Sequence, residues 1–539
     1  MSENHEKVVL SGINQPVEFK MANMNQAAVE VIKKSSLYTR AVGHIKEDHH
    51  RLKLASPVTN NGWDTVSICR VSALNTRIAT EKTYPTEQMK YEEGQIAVTG
   101  FFAPWQIVTG GDGKNIKLNI PFESGTYTGI NMGAGTQFDM KDVSVDIYIK
   151  LNYFPLPKPQ AEDGSYDLQV KTTQTEDMDP IAAVIALHDP NKKIDDVNAS
   201  VLRGILEKWL NIPENLAKFD ALFATVLINN MGNQSEEYKW LKATTISYAY
   251  TDKNTEESSI FGILCMTNNR SADGLPNQLP AVDLQSDENA VFLISREVFV
   301  KYQLMPAMPY IFEDSPNASY EVDDAGTTVS CKNLKMEDVR VGAINYHPVA
   351  ETFEMCFDET YITTTAKIKT NISPGIDTTT IIISKQTLAL GTNSKGEQVM
   401  IYKTVGEPIV ENTNNIATWV VVTEAILGLI AAVVATIAGV IAEKMAACII
   451  GIIAALVVAT ISIVIHVIIQ EVIGGKTTDA LPSVAPMVKI ATSQIQWPFC
   501  RPDAFVLTDI KYSGSIIFDG NLNIQEQYKI KNKRLVLSV

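Results

Sequence analysis

Ala425-Ile-Leu-Gly-Leu-Ile-Ala-Ala-Val-Val-Ala-Thr-Ile-Ala-Gly-Val-Ile-Ala442 is 18 residues without a charge. After Glu443-Lys444 the chain stays apolar from Met445 to Gln470, 26 residues in which only His466 can ionise. As helices these pieces would be about 27 and 39 Å long at about 1.5 Å per residue. Either could cross a bilayer core of about 30 Å. Three arrangements satisfy the pattern. The first is a transmembrane hairpin that turns at Glu443-Lys444, although Ala-Glu-Lys-Met is good helix-forming sequence with no turn residue. The second is one or two long helices buried in the protein and apolar all round because sheet covers them. The third is a segment sheltered in one state and inserted in lipid in another. Gly428, Ala432, Gly439, Ala446 and Gly451 permit close helix packing in either solvent. His466 on this apolar face reads first as a satisfied core histidine. Its functional alternative is a pH switch whose protonation favours exposure.

Outward from this segment the chain reads as strands. Val143-Ser-Val-Asp-Ile-Tyr-Ile-Lys-Leu-Asn-Tyr153 places an apolar residue at every second position, the signature of a half-buried antiparallel strand. Ile96–Phe102, Trp105–Thr109 and Ile116–Ile120 flank Gly110-Gly-Asp-Gly113, which reads as a hairpin loop and not a phosphate cradle, because it opens no helix. Further strands are expected at Trp240–Tyr250, Ile260–Met266, Val291–Ser295, Val339–Tyr346, Thr352–Phe357, Ile362–Lys369, Thr378–Ser384 and Val399–Lys403, rich in threonine and isoleucine. Helical spacing predicts helices at Asn25–Lys34, at Trp63–Lys82 (through Trp63, Val66, Cys69, Ala73, Leu74 and Ile78) and within 197–230, where Leu202, Ile205, Leu206, Trp209 and Leu210 share a side. Pro155–Asp163 reads as a linker. The long strands suit a curved sheet wrapped over an apolar element.

Composition sets the outer limits. The 539 residues are 45% apolar and 20% charged, ordinary for a globular chain of two to four domains. A net charge of −15 without a basic cluster argues against a nucleic-acid partner; only Lys529, Lys531, Lys533 and Arg534 gather at all. Six scattered cysteines show no zinc spacing and read as buried thiols. The His49-His50 pair points its two rings different ways and makes a poor metal site. Met1-Ser-Glu-Asn-His-Glu-Lys7 has no apolar h-region, so synthesis in a cytoplasm and export by a route other than Sec is expected. No GxSxG, Walker A, HExxH or EF-hand pattern occurs, and seven histidines offer little catalytic capacity. Asp195-Asp196 and Asp323-Asp324 read as solvated charge. The chain is read as no enzyme, with no cofactor and no metal.

Five stretches carry a resemblance, in the same order along the chain. They are Asn61-Gly-Trp-Asp-Thr-Val66; Trp105-Gln-Ile-Val-Thr-Gly-Gly111 followed by Pro121; Val291-Phe-Leu-Ile-Ser295 followed by Phe299 and Pro306; Val341-Gly-Ala-Ile-Asn-Tyr-His-Pro348; and Trp497-Pro with Phe505-Val-Leu-Thr-Asp509. Together with an apolar, Gly- and Ala-rich segment just before the last of them, they resemble the clostridial forty-seven-kilodalton protein and OrfX family encoded beside botulinum neurotoxin genes. The resemblance covers about 61–539. It implies a bacterial protein of the TULIP superfamily, tubular lipid-binding proteins in which a long helix is wrapped by curved antiparallel sheet. It transfers no catalytic residue.

The reading is therefore an α+β, TULIP-like fold with a long apolar helical segment near the C-terminus. Its segments are 1–60, an N-terminal extension; 61–171, a first helix and hairpin sheet; 172–418, a second helix and antiparallel sheet; 419–473, the apolar segment; and 474–539, closing strands. The expected function is lipid or membrane binding as a toxin component or toxin-cluster accessory. A membrane-inserting, pore-forming subunit using 419–473 and a scaffold in a toxin complex are the alternatives. The expected partners are lipid or membrane and other toxin-cluster proteins. Trp63, Val66, Leu74 and Ile78 are expected to line a first apolar seam. Trp419, Ile426, Leu429, Ile430, Ile449, Ile453 and Leu456 are expected to meet lipid in the second, with His466 as the pH switch.

Overall fold

Thr65-Val-Ser-Ile-Cys-Arg70 puts Val66 and Ile68 on one side and Thr65, Ser67 and Cys69 on the other. In the computed structural model this stretch is a strand in the middle of a seven-stranded antiparallel sheet, buried on both faces. This corrects the helix expected over Trp63–Lys82. Positions 63, 66 and 69 fit helical spacing, but they fit a doubly buried strand as well. Pairing with Ile260–Thr267 on one side and Ala290–Ser295 on the other decides it. The helix that follows, α1, spans only Val71–Glu81 and stops at Lys82, whose φ is 55°. The structure describes residues 57–130, 136–155, 165–171, 181–228, 238–525 and 527. The expected helix at Asn25–Lys34, the His49-His50 pair, most of the Pro155–Asp163 linker and the basic residues Lys529 to Arg534 lie outside them.

The central sheet runs in the order Cys500–Tyr512, Ser515–Ile524, Ala290–Ser295, Thr65–Arg70, Ile260–Thr267, Ala243–Thr251 and Asp112–Gly113. Its outer face, with Trp63, Val66, Ile68, Leu264 and Leu293, is sealed by Leu275, Leu279 and Val282. Its inner face serves two separate cores. Cys69, Phe261 and Ile263 point into the core of one lobe, and Phe292, Ile294, Ile516 and Phe518 into that of the other.

The first lobe packs α1 and α2 (Asp196–Leu210) against a sheet built on the long strand Ile116–Gly129. Asp195 caps α2 by accepting from the Asn198 amide, and Leu202, Ile205, Leu206, Trp209 and Leu210 are buried. Helix does not extend to 230. Asn211 and Pro213 end α2, a single turn follows at Pro213–Leu216, and Ala224–Leu227 is a strand. The Gly110–Gly113 region is the loop of a hairpin, with Gln106–Ile107 paired to Asn119 and Leu118. The alternating stretch from Val143 divides at Lys150. Ser144–Ile149 stays in this sheet, and Leu151–Pro155 joins a four-stranded one.

The second lobe is a curled sheet around an apolar helix. Its strands are Ser319–Val322, Thr328–Lys332, Val349–Phe357, Ile362–Ser373, the 17-residue Ile376–Thr392, and two that share the far side of that long strand. Ile409–Ile416 pairs with its first half and Gln398–Thr404 with its second. The single strand expected at Val339–Tyr346 is a small hairpin, Val339–Val341 and Ile344–Tyr346, turned at Gly342 with φ 63°. Helix α3, Arg296–Ile311, contains a π-helical turn at Val300–Leu304.

Helix α4 runs unbroken from Glu424 to Val457, 34 residues. The turn at Glu443-Lys444 required by a transmembrane hairpin is absent. Glu443 faces solvent and Lys444 pairs with Asp314, so both charges are accommodated without bending the backbone. The break comes after Val457, and α5 (Val464–Glu471) then packs back on α4. The last carbonyls of α4 are buried, and the protein supplies their donors. The Val458 amide reaches Ala454 at 2.8 Å, Gln303 Nε2 reaches Ala455 at 2.7 Å, and the Tyr238 hydroxyl reaches Val457 at 2.6 Å. Gly451 lets α3 approach, since a Cβ there would stand 2.6 Å from Ile311 Cγ1.

Two substitutions test this anchoring. Gln303→Leu leaves the Ala455 carbonyl without its donor and should cost roughly 1–3 kcal/mol in urea unfolding. Gly451→Ala should cost about 1–3 kcal/mol by overpacking against Ile311. Wild-type midpoints for both variants would show that the C-terminal end of α4 is not held as described.

Candidate functional site

The two halves of α4 differ in burial although their composition is alike. From Met445 to Val457 every residue is buried. From Glu424 to Ala442 only a stripe is: Ile430, Val433, Val434, Ile437, Ala438, Ile441 and Ala442 recur at helical spacing. The opposite face is small and open, with Ala425, Gly428 and Thr436 exposed. An 18-residue window of α4 has mean hydropathy 2.6 and is only 39% buried. Just before the helix, Trp419 and Val421 are 68% and 79% exposed. Trp419 lies over Gly375, where a Cβ would meet its ring at 2.6 Å.

Of the residues expected to meet lipid, Trp419 is on the surface, and Ile426 and Leu429 are partly covered. Ile430, Ile449, Ile453 and Leu456 are core. Trp63, Val66, Leu74 and Ile78 do not line one seam. Trp63 and Val66 pack on the outer face of the central sheet, whereas Leu74 and Ile78 lie in the first lobe's core. The chain changes from strand to helix at Val71, and this sends them to opposite sides of the sheet. The apolar cleft beside Ile450 and Ile453, closed by Ile401, Tyr402 and Leu481, holds about 10 Å³. That is at the limit for one water and far below an acyl chain.

His466 is a quarter exposed, with Nδ1 3.3 Å from Glu313 Oε2. The imidazole, on α5, faces a carboxylate that lies just past the end of α3.

Beneath the first half of the Ile376–Thr392 strand a polar band interrupts the inward-facing wall of Ile368, Ile376, Ile382, Val410 and Ile416. Thr370, Thr378, Thr380, Asn412 and Asn414 are all buried. The Thr378 and Thr380 hydroxyls donate to Asn412 Oδ1 at 2.6 and 3.0 Å, and Asn412 Nδ2 donates to Asn414 Oδ1 at 2.9 Å. Sequence reasoning missed these residues. The signal was available: Thr378 and Thr380 stand in the same alternation as Ile376 and Ile382, so they face the core.

The Asn61-Gly-Trp-Asp motif is a structural node. Asn61 and Gly62 take φ of 52° and 91°, turning the chain into the central strand. Trp63 Nε1 donates to the Pro276 carbonyl at 2.8 Å. The buried Asp64 carboxylate accepts from the Thr267 amide at 2.7 Å and its hydroxyl at 2.9 Å, and pairs with Arg270. Burial pushes the Asp64 carboxyl above its ordinary range, against the pull of Thr267 and Arg270. A polar cavity of about 290 Å³ opens beside it, lined by Asn60, Asn61, Arg270, Ser295 and Glu297. Its walls are committed to the fold, with Asn60 bonded to Ser515, Ser295 capping α3 and Glu297 paired with Arg296. Among the described residues no group of three or more His, Cys, Asp or Glu could hold a metal ion.

Residues 60–520 match the family described as OrfX-like, Protein OrfX2/OrfX3/P47. The chain belongs to the OrfX-like family. It is 26% identical over 497 residues to Protein OrfX3 of Paraclostridium bifermentans, covering 86% of this chain and 98% of that protein. It is also 26% identical over 381 residues to Protein OrfX3 of Clostridium botulinum (strain Kyoto / Type A2), covering 65% and 77%. Its fold is similar to P47 from Clostridium botulinum A2, with TM-score 0.55 at 14% identity, over 86% of this chain and 98% of that one. P47 of Clostridium botulinum E1 matches with TM-score 0.52 at 14% identity, over 86% and 100%. In this OrfX-like chain, family motifs supply neighbours in the central sheet. Ala290–Ile294 pairs with Thr65–Cys69, the Ser295 amide donates to the Asp64 carbonyl at 2.8 Å, and Phe505–Asp509 lies on the edge strand.

Asp64→Ala strands Arg270 and both Thr267 donors, and should lower the unfolding free energy by roughly 3 kcal/mol. The pH dependence has a definite sign. Between the ordinary value of 3.8 and its raised folded value, Asp64 holds a proton in the folded chain and not in the unfolded one. Its contribution to stability therefore grows as pH falls through that window and is lost as pH rises above it. Asp64→Asn should flatten this part of the stability–pH curve, as read by denaturation at a series of pH values.

Proposed function

We propose that this OrfX-like protein is a non-enzymatic membrane-binding component of a toxin cluster, and that residues 419–442 form its lipid-contacting surface. One observation carries the reading. An uncharged 18-residue stretch lies at the surface with one face open, entered through exposed Trp419 and Val421, on a chain of net charge −15. Apolar surface of that length, with an aromatic residue at its edge, suits the boundary between headgroups and acyl chains. Membership of a family whose members carry the names OrfX and P47 supports the toxin-cluster setting. The long helix wrapped by curled antiparallel sheet supports a TULIP-like assignment.

The cleft of about 10 Å³ beside α4 argues for contact with a membrane surface over carriage of a lipid in a seam. Protein purified without detergent should therefore show the bare chain mass by native mass spectrometry. Added lipid mass would restore the carrier reading.

Vesicle flotation tests the surface. Wild type should float with zwitterionic phosphatidylcholine vesicles and less well with anionic ones, since a chain of charge −15 is repelled by an anionic leaflet. Trp419→Ser combined with Val421→Ser should abolish flotation without moving the unfolding midpoint, because both side chains are mostly exposed. Point changes are the right tool here, since deleting 419–473 would remove the core of the second lobe. Flotation unchanged in the double variant would place the contact elsewhere. No flotation of wild type would favour a scaffold role.

A further inference from the structure

We propose that on a membrane the N-terminal half of α4, Glu424–Ala442, lifts off the curled sheet and lies in the plane of the bilayer interface, while Met445–Val457 stays in the protein as its anchor. The proposal rests on the membrane reading above and specifies the geometry of the bound state.

The path of the helix shows what lies beneath each half. Trp419 sits over Gly375, at the start of the long strand, and Ile450 and Ile453 reach Ile401 and Tyr402, beside its second half. The N-terminal half of α4 therefore covers the first half of that strand, where Ile368, Ile376, Ile382 and Val410 share the wall with a polar band of Thr370, Thr378, Thr380, Asn412 and Asn414. Thr370 Oγ1 is buried there with no hydrogen-bond partner among the described residues. Hydroxyl and amide groups under an apolar helix lose hydration while it is docked and regain it when it leaves. A wall of isoleucine alone would oppose departure more strongly than one that holds this band. The C-terminal half is the reverse case. It is buried throughout, capped by Gln303 and Tyr238, and packed on Ile311 through Gly451. Glu443 and Lys444, the latter held by Asp314, mark the border between the two.

Lifting adds to the contact that the docked helix makes, because its outward face is small. It carries Ala425, Gly428 and Thr436, whereas the bulky side chains Ile430, Val433, Val434, Ile437 and Ile441 face the sheet. Both ends of the mobile half remain tied to the protein. One is at Lys444; the other is at Ala417–Thr423, which follows the paired strand Ile409–Ile416. Seven residues extend to about 25 Å at most. That is short of the bilayer core of about 30 Å, so the N-terminal end of α4 cannot reach the far side while that strand stays paired. The helix is confined to the near interface.

The experiment uses the full chain with spin labels at Gly428→Cys and Thr413→Cys, both exposed sites. Five of the six native cysteines are buried. The 428–413 distance is measured by pulsed spin resonance with and without phosphatidylcholine vesicles, and the immersion depth of the 428 label by relaxation agents. The expected result is a longer distance on vesicles, with the label at headgroup-to-upper-acyl depth. Replacing the band together (Thr378→Val, Thr380→Val and Asn412→Leu) should reduce the lengthening while flotation persists. An unchanged distance in protein that floats would overturn the lifting and leave the membrane reading intact. A label at the bilayer centre would overturn the in-plane geometry. Protein that does not float would remove the membrane reading itself, and this proposal with it.

Discussion

Keeping α4 from water is the constraint on which the second half of this protein depends. Its only charges are Glu424, Glu443 and Lys444, and thirty-four residues of such sequence cannot be left in solvent. The long strand Ile376–Thr392 and its neighbours curl along the helix, α3 approaches through Gly451, and α5 folds back to cover the end. Burial at this scale would be costly if backbone groups went unpaired. Gln303 and Tyr238, distant in sequence, meet that requirement at the C-terminal carbonyls. The N-terminal end receives less, a Thr423 cap and one covered face.

That asymmetry gives the two halves of a single helix different surroundings. The anchored half behaves as the core of a lobe. The other half buries one apolar stripe, with its small side chains outward. The central sheet supplies the frame against which this difference is held. Asp64, buried and satisfied by Thr267 and Arg270, locks the strand Thr65–Arg70 between partners that serve both cores.

Much of the fold was legible because the patterns were local and strong. The stretch from Val143, the Gly110–Gly113 hairpin and α2 follow from alternation, turn residues and helical spacing. The failures occurred where two periods coincide. Trp63, Val66 and Cys69 satisfy a helix and a buried strand equally, and only the flanking strands Ile260–Thr267 and Ala290–Ser295, some two hundred residues away, resolve it. The seam expected from Trp63, Val66, Leu74 and Ile78 fails with the same error, since a strand-to-helix change at Val71 divides them between two cores. His466 was legible as an ionisable group on an apolar helix. Its neighbour Glu313 was not, because that carboxylate comes from another part of the fold.

The sequence by itself determined that a charge-free stretch too long for an ordinary strand had to be helical and kept from water by sheet or by lipid, and that alternating strands made up much of the rest. Both follow from hydrophobic periodicity, which each residue carries with it. Its five ordered motifs also marked the family. Tertiary structure alone decided that Glu443-Lys444 sits within a continuous helix, that one half is capped and the other open, and that Thr378, Thr380 and Asn412 form a polar band beneath. Those properties belong to pairs of residues brought together across the fold, and a linear pattern holds no record of which pairs will meet.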